Sequence, residues 1–308
     1  MKALYRIRIR RGVTGIHINV VKDFNNTILK RRLLGRPFEL FDNDTVAIFA
    51  DTSDIYIVSD KPIYFDEGLE DAFSSEDNLK VIDLSGMDGK CIKSMMRAFA
   101  GCNALEEIKF GDLKIDKCNN FGEAFASCYK LKKIDLRGLD TKCVDHVYSM
   151  CIDCSSLEEI YFNEKLFTYA SEGMYKNFNR TFMNCRKLKK INDDNVIKLP
   201  DLADAGNMFK NCNSLENIKI IGKIHYAGNM FEGCNNLKTV DMSEAYFAHK
   251  TDVSNMFQGC TSLETLIVPH IANANIVIDD IKPHKDGTQS WFLHMLGLDH
   301  IPSKFIYQ

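Results

Sequence analysis

One spacing recurs through more than half of the chain and leaves few folds open to it. An aromatic residue is followed three positions on by Cys, three further by Leu, three further by Ile or Val, and two later by an apolar residue. Phe99-Cys102-Leu105-Ile108-Phe110 and Phe231-Cys234-Leu237-Val240-Met242 are two instances, and Phe125, Phe182, Phe209 and Phe257 open others. Cys151 takes the aromatic slot once, and an early copy, Phe73-Glu76-Leu79-Ile82-Leu84, has Glu76 in place of Cys. The eight copies step by 26, 26, 26, 31, 27, 22 and 26 residues, the size of one supersecondary unit in a solenoid.

Spacing inside the unit assigns its parts. Residues three apart fall on one side of a turn or short helix, whereas the final pair two apart fits a strand with one buried face. A single unit cannot bury its apolar side, so the units must stack, with their strands side by side in a parallel sheet. The fold class expected is α/β: a solenoid of about eight units. The lengthened fourth step and the shortened sixth are where its regular curve should break.

A second pattern supports the stacking without reference to apolar residues. The position after the repeat Leu reads Lys80, Glu106, Lys132, Glu158, Lys189, Glu216, Lys238 and Glu264, alternating in sign throughout. In a direct stack each cation sits between two anions. Like charges would otherwise face each other across neighbouring strands.

Segments such as "MFEGCNNLKTVDM" and "NMFQGCTSLETLIV", preceded by "DTKCVDHVYSMC" and "HKTDVSNMF", resemble the BspA-like leucine-rich repeats of bacterial surface lipoproteins and adhesins. The resemblance spans about residues 66 to 270. It implies a leucine-rich-repeat solenoid used for protein interaction or adhesion, without catalytic residues.

Three regions follow: a basic β-rich segment over 1–65, the solenoid over 66–270 and a C-terminal cap over 271–308. The first alternates in "ALYRIRIR" and contains β-branched runs such as "GIHINVV" and "DIYIV" between turn signals, which reads as a small antiparallel β-domain. The last holds the only Trp, in "GTQSWFLHMLGL", and reads as a helical lid over the open core of the final unit.

Charge divides the same way. The whole chain carries -3, yet residues 1 to 36 carry ten basic residues against Asp23 alone, a local +9 that leaves -12 for the remainder. Arg6, Arg8 and Arg10 share one strand face, and Arg31 and Arg32 lie within a Lys-Arg-Arg run. These could contact an acidic protein, nucleic acid, or the acidic remainder of the same chain.

A second candidate surface is the outward row of strand residues Asp83, Lys109, Asp135, Tyr161, Asn192, Lys219, Asp241 and Ile267, a mixed-charge strip suited to a polar interface. A third is the enlarged fourth unit, where Tyr161, Phe167, Tyr169, Tyr175 and Phe178 outnumber the repeat slots. Tyr161, Tyr169 and Tyr175 would make an interface hot spot there. Alternatively the insertion folds back and buries its rings.

Catalysis has no visible carrier: phosphate loop, GxSxG and dinucleotide fingerprint are all missing. Cys151 and Cys154 form a CxxC, but both occupy repeat slots, so no redox or zinc role is needed. His270, His284, His294 and His300 crowd the tail without metal-ligand spacing. No cofactor, small-molecule substrate or membrane partner is expected. The N-terminus places arginines where a signal peptide needs apolar residues, and eleven Cys suit a reducing compartment, so the expected location is cytoplasmic, with surface export left open. The function expected is a non-enzymatic scaffold binding a protein or nucleoprotein, such as an inhibitor of mobile-element or phage origin. An adhesin and a nucleic-acid binder acting through residues 1–36 are the alternatives.

Overall fold

A computed structural model describes residues 13–20, 39–41, 46–51, 53–59, 61, 63, 68–163, 166, 176–201, 203–268, 297–298 and 302–307. Within each repeat the backbone takes a series of tight turns before entering the strand. In the copy opened by Phe99, Ala98 donates to Met95 O, Cys102 to Phe99 O and Leu105 to Cys102 O, all i to i−3 bonds. These never propagate into a helix, because the residues two before and two after the aromatic slot are left-handed. Arg97 has φ 53° and Gly101 73°; Asn229 has 56° and Gly233 76°; the same pair of positions is left-handed in every copy. Such a residue cannot continue a right-handed helix. The residue two after the aromatic is Ser, Gly, Asp or Asn in every copy, the types that tolerate this conformation best or bond locally. Of the two options the spacing allowed, turn or short helix, the repeats use the turn.

The turns bond to those of the next unit as strands would. Arg97 donates to Gly122 O (3.0 Å), Phe99 to Ala124 O (2.9 Å) and Gly101 to Ala126 O (2.8 Å). Phe rings of successive units therefore stack, at 5.6 Å for Phe73–Phe99, 5.5 Å for Phe99–Phe125, 5.4 Å for Phe182–Phe209 and 5.5 Å for both Phe209–Phe231 and Phe231–Phe257.

Beside them runs a row of thiols, each donating to the slot-one carbonyl of the preceding unit. Cys102 bonds Phe73 O at 3.0 Å, Cys128 bonds Phe99 O at 3.1 Å and Cys154 bonds Phe125 O at 2.9 Å. Cys185, Cys212, Cys234 and Cys260 repeat the contact at 3.0, 3.1, 3.0 and 3.1 Å. This accounts for the choice of Cys over another small apolar residue: the slot is dry and needs a weak donor. All eleven Cys are free thiols, including Cys151 and Cys154.

The strands are β1 (Gly15–Val20), β2 (Glu39–Phe41), β3 (Val46–Asp51), β4 (Asp54–Ser59), β5 (Val81–Asp83), β6 (Glu107–Lys109), β7 (Lys133–Leu136) and β8 (Glu159–Phe162). They continue as β9 (Lys190–Ile191), β10 (Val196–Lys198), β11 (Ala203–Asp204), β12 (Asn217–Tyr226), β13 (Thr239–Asp252), β14 (Thr265–Val268) and β15 (Lys304–Tyr307). Three sheets result, ordered β2-β3-β4-β1-β5-β6, β7-β8-β9 and β10-β12-β13-β14-β15, with β11 pairing β12. All pairing among the repeat strands is parallel.

The N-terminal strands do not stand apart from the solenoid. Strand β1 lies between β4 and β5 and is parallel to both, so only β2–β3 and β3–β4 are antiparallel. Thr14 O accepts from Lys80 and Val81 N–H, the contact one repeat makes with the next. A wholly antiparallel unit could not do this: β1 must run with the repeat strands to cover Ile82. At the other end β15 adds a parallel strand to β14, and Leu298 is buried against the core. Of the lid expected over 271–308, residues 271–296 lie outside the described residues, as do His270, His284, His294 and His300.

Candidate protein-binding surface

The outward strip forms where strands pair. Asp83 faces Lys109, Asp135 faces Tyr161, and Lys219, Asp241 and Ile267 lie in one row. Arg137 donates through Nε to Asp135 at 2.9 Å and holds that carboxyl below the usual carboxylate range. Lys219 reaches both Asp241 (3.6 Å) and Glu244. Pairs this exposed are worth about 0–1 kcal/mol each, so they order the face more than they stabilise it.

Tyr161, expected as an exposed hot-spot residue, is only 5% accessible. Its ring is covered by Lys133 Nζ at 4.8 Å, Arg137 Cζ at 4.5 Å and Lys190 Nζ at 5.2 Å, and its hydroxyl donates to Glu159 at 2.9 Å. Phe178 is buried as well, and nearby Lys176, fully buried, donates to Leu166 O at 2.6 Å while burial pushes its pKa down to about 8. Tyr161, in strand β8, and Phe178 are thus both buried. Tyr169, Tyr175, Arg6, Arg8, Arg10, Arg31 and Arg32 lie outside the described residues. Among the described residues the exposed large aromatic is Tyr129, 44% accessible, in a standard-length unit.

The strip is broken twice. At five junctions between repeats, a ladder-position carbonyl accepts two successive N–H groups from the next unit. Lys80 O takes those of Glu106 and Glu107, Lys132 O those of Glu158 and Glu159, and Glu158 O those of Lys189 and Lys190. Glu216 O and Lys238 O are likewise doubly bonded. Glu106 O and Lys189 O are the exceptions, and they mark the edges between the three sheets.

At Lys189 the chain closes its own gap. Asn195 Oδ1 accepts from Ile191 N–H at 2.7 Å, its Nδ2 donates to Lys189 O at 3.3 Å, and β10 occupies the edge of β12. At Glu106 nothing comparable is found among the described residues. Most Cα pairs between β6 and β7 are more than 8 Å apart, against about 4.8 Å for paired strands. The opening holds about 780 Å³ and is lined by Glu106, Glu107 and Ile108 on one side and Lys130, Lys132, Lys133, Asp135 and Ser156 on the other. Ile108 is partly exposed, while its counterparts Ile82, Ile134, Ile160, Ile191, Ile218, Val240 and Leu266 are all buried.

The sequence marked Lys109 and Asp135 beside this opening but none of the other lining residues as a site. Glu106 and Lys132 entered only as rungs of the charge ladder, and the gap falls at a regular 26-residue step. Pairing survives the irregular steps, in β8–β9 across 31 residues and β12–β13 across 22. One signal does stand at the gap: Phe110, where the flanking units have Leu84 and Leu136, sets its ring edge-on to both Phe99 (6.4 Å) and Phe125 (6.5 Å).

The family model for the BspA type leucine rich repeat region matches residues 69–191 and 178–276, in six copies. The chain belongs to this family. Among solved structures it is similar to a leucine-rich repeat protein from Bacteroides ovatus, at 12% identity and a TM-score of 0.33, covering 89% of this chain and 98% of that one. It is also similar to a leucine rich cell surface protein from Faecalibacterium prausnitzii, at 15% identity and a TM-score of 0.27, covering 88% and 92%. No curated protein matches the chain. Among the described residues of this BspA-type repeat protein, no helix is long and apolar enough to cross a membrane.

Proposed function

We propose that this BspA-type chain is a non-catalytic scaffold that holds a protein partner on its strand-bearing face. The carrying observation is the opening between β6 and β7, where an otherwise closed, charge-patterned sheet exposes backbone, the side of Ile108 and charged walls of both signs. Buried thiols support the absence of chemistry, since burial raises Cys102 and Cys118 to about 12 and a thiol without its thiolate is a poor nucleophile.

The test compares captured partners across two variants of the full chain. Lys109→Glu with Lys219→Glu on the strand face is expected to weaken a partner at least tenfold, whereas Glu123→Lys on the turn side leaves it unchanged. A partner indifferent to the first and lost with the second places binding on the turn side. Deletion of 1–65 is a poor test, because β1 is bonded to β5.

Two finer readings attach to this scaffold. An intracellular inhibitor of a nucleoprotein, using Arg6, Arg8, Arg10, Arg31 and Arg32, is supported by the local +9 and the free thiols, and requires binding of a labelled single-stranded oligonucleotide that falls steeply with salt. A surface adhesin is supported by family membership, and requires labelling of the protein on intact cells.

A further inference from the structure

The unpaired groups at the gap have a definite arrangement. Glu107 N–H bonds Lys80 O and Lys109 O accepts from Leu84 N–H, so both residues turn their backbone toward β5. Parallel strands alternate direction residue by residue, so Ile108 turns its N–H and C=O toward β7. Across the gap Lys132 and Lys133 N–H, whose counterparts elsewhere bond a ladder carbonyl, face Glu106 O without reaching it. Two strand edges thus confront each other, each bonded on its far side to β5 or β8.

A four-residue strand fills a slab about 13 Å long, 4.8 Å wide and 10 Å deep, roughly 630 Å³, a volume comparable to the 780 Å³ of the opening. We propose that the gap receives an extended segment of a partner protein as a surrogate strand. An apolar residue of that segment turns toward Ile108 and Ile134, and an acidic one sits beside Lys130 and Lys132. This rests on the scaffold reading above and specifies its partner.

The side-chain preference follows from what the walls leave unmatched. Glu107 is paired with Lys109 at 3.6 Å, and Asp135 with Arg137. Lys133 lies over Tyr161. Lys130 and Lys132 make no ion pair among the described residues; Lys132 stands between Glu106 and Glu158 in the ladder, so Lys130 is the lining cation with no ladder anion beside it. Main-chain bonds would supply affinity and the alternating side chains specificity, as in other strand additions.

The test pans a phage-displayed random dodecapeptide library on the full chain. Enriched peptides are expected to alternate apolar residues with others and to carry Asp or Glu. The synthetic peptide should bind Lys130→Ala/Lys132→Ala at least tenfold more weakly, these exposed positions leaving the fold intact, and Ile108→Asp similarly. N-methylation of alternate backbone amides should cost at least tenfold, and bound peptide should slow hydrogen exchange at Ile108, Lys132 and Lys133. No enrichment, equal affinity for the lysine variant, or tolerance of N-methylation overturns the strand. A protein partner lost with Lys219→Glu but indifferent to Lys130→Ala/Lys132→Ala overturns it too, and leaves the scaffold standing.

Discussion

The two layers of this stack obey different rules. The Phe–Cys layer is continuous through both places where the strand layer parts: Phe99–Phe125 is 5.5 Å and Cys128 reaches Phe99 O across the open gap, while Phe182–Phe209 is 5.4 Å and Cys212 reaches Phe182 O across the closed one. Rings and thiols are buried, so separating them would leave a void and unpaired carbonyls. Strand edges face solvent, where water accepts the same hydrogen bonds, so parting costs little. Such a protein keeps its register through the inner layer and is free to open the outer one.

The largest test of this contrast is alkaline. Burial raises Cys102 and Cys118 from 9.0 to about 12, and Cys128, Cys185 and Cys234 well above 9.0. An acid whose folded pKa is raised keeps its proton while the unfolded chain releases it. Stability is therefore complete below pH 9 and lost as pH climbs toward 12, by about 4 kcal/mol for each three-unit shift. Denaturant melts between pH 8 and 11 should show a steep fall, shallower in Cys102→Ala. A flat profile would mean that the thiols are wet and the inner layer is open too.

Next in size is Asn195→Gly, which keeps the left-handed backbone (φ 55°) but removes the plug from the closed gap. Losing the partner of buried Ile191 should cost about 1–3 kcal/mol by denaturant melt. No loss would place that gap with the open one. Phe110→Leu at the open gap, which takes three carbons from a buried ring, should cost about 1–2 kcal/mol. It should nonetheless slow exchange at Lys132 and Lys133 amides to the rate of Glu158 and Glu159. If they stay fast, the ring is not what holds β6 and β7 apart. Smallest is Lys130→Ala with Lys132→Ala, within about 0.5 kcal/mol of wild type, since neither makes an ion pair among the described residues. A larger loss would show that the gap walls are structural.

Much of the inner layer was legible because its signal is local. Seven Cys in one slot, six with Phe three before and all with Leu three after, state a period that stacking alone satisfies, and alternating charge at Lys80 through Glu264 states the register. The turns were half legible: spacing of three fits turn or helix, and left-handed backbone at Arg97, Glu123 and Arg180 cannot be inferred from residues that ordinarily avoid it. The aromatic surplus after Ile160 was visible, but the stacking of three cations on Tyr161 was not, because Lys133 and Arg137 come from β7 and its end and Lys190 from β9, the strands on either side of Tyr161.

The amino-acid order by itself determined that equal units pile up, which residues form the column and which charges meet along its flank, because each follows from a repeat that can be satisfied in one way. Only the tertiary structure decided where neighbouring strands let go. That depends on whether a ring such as Phe110, an asparagine such as Asn195 or a strand such as β1 lands within bonding distance of an edge, and the apolar spacing around Ile108 is the same as around Ile134, with Phe110 in place of Leu136.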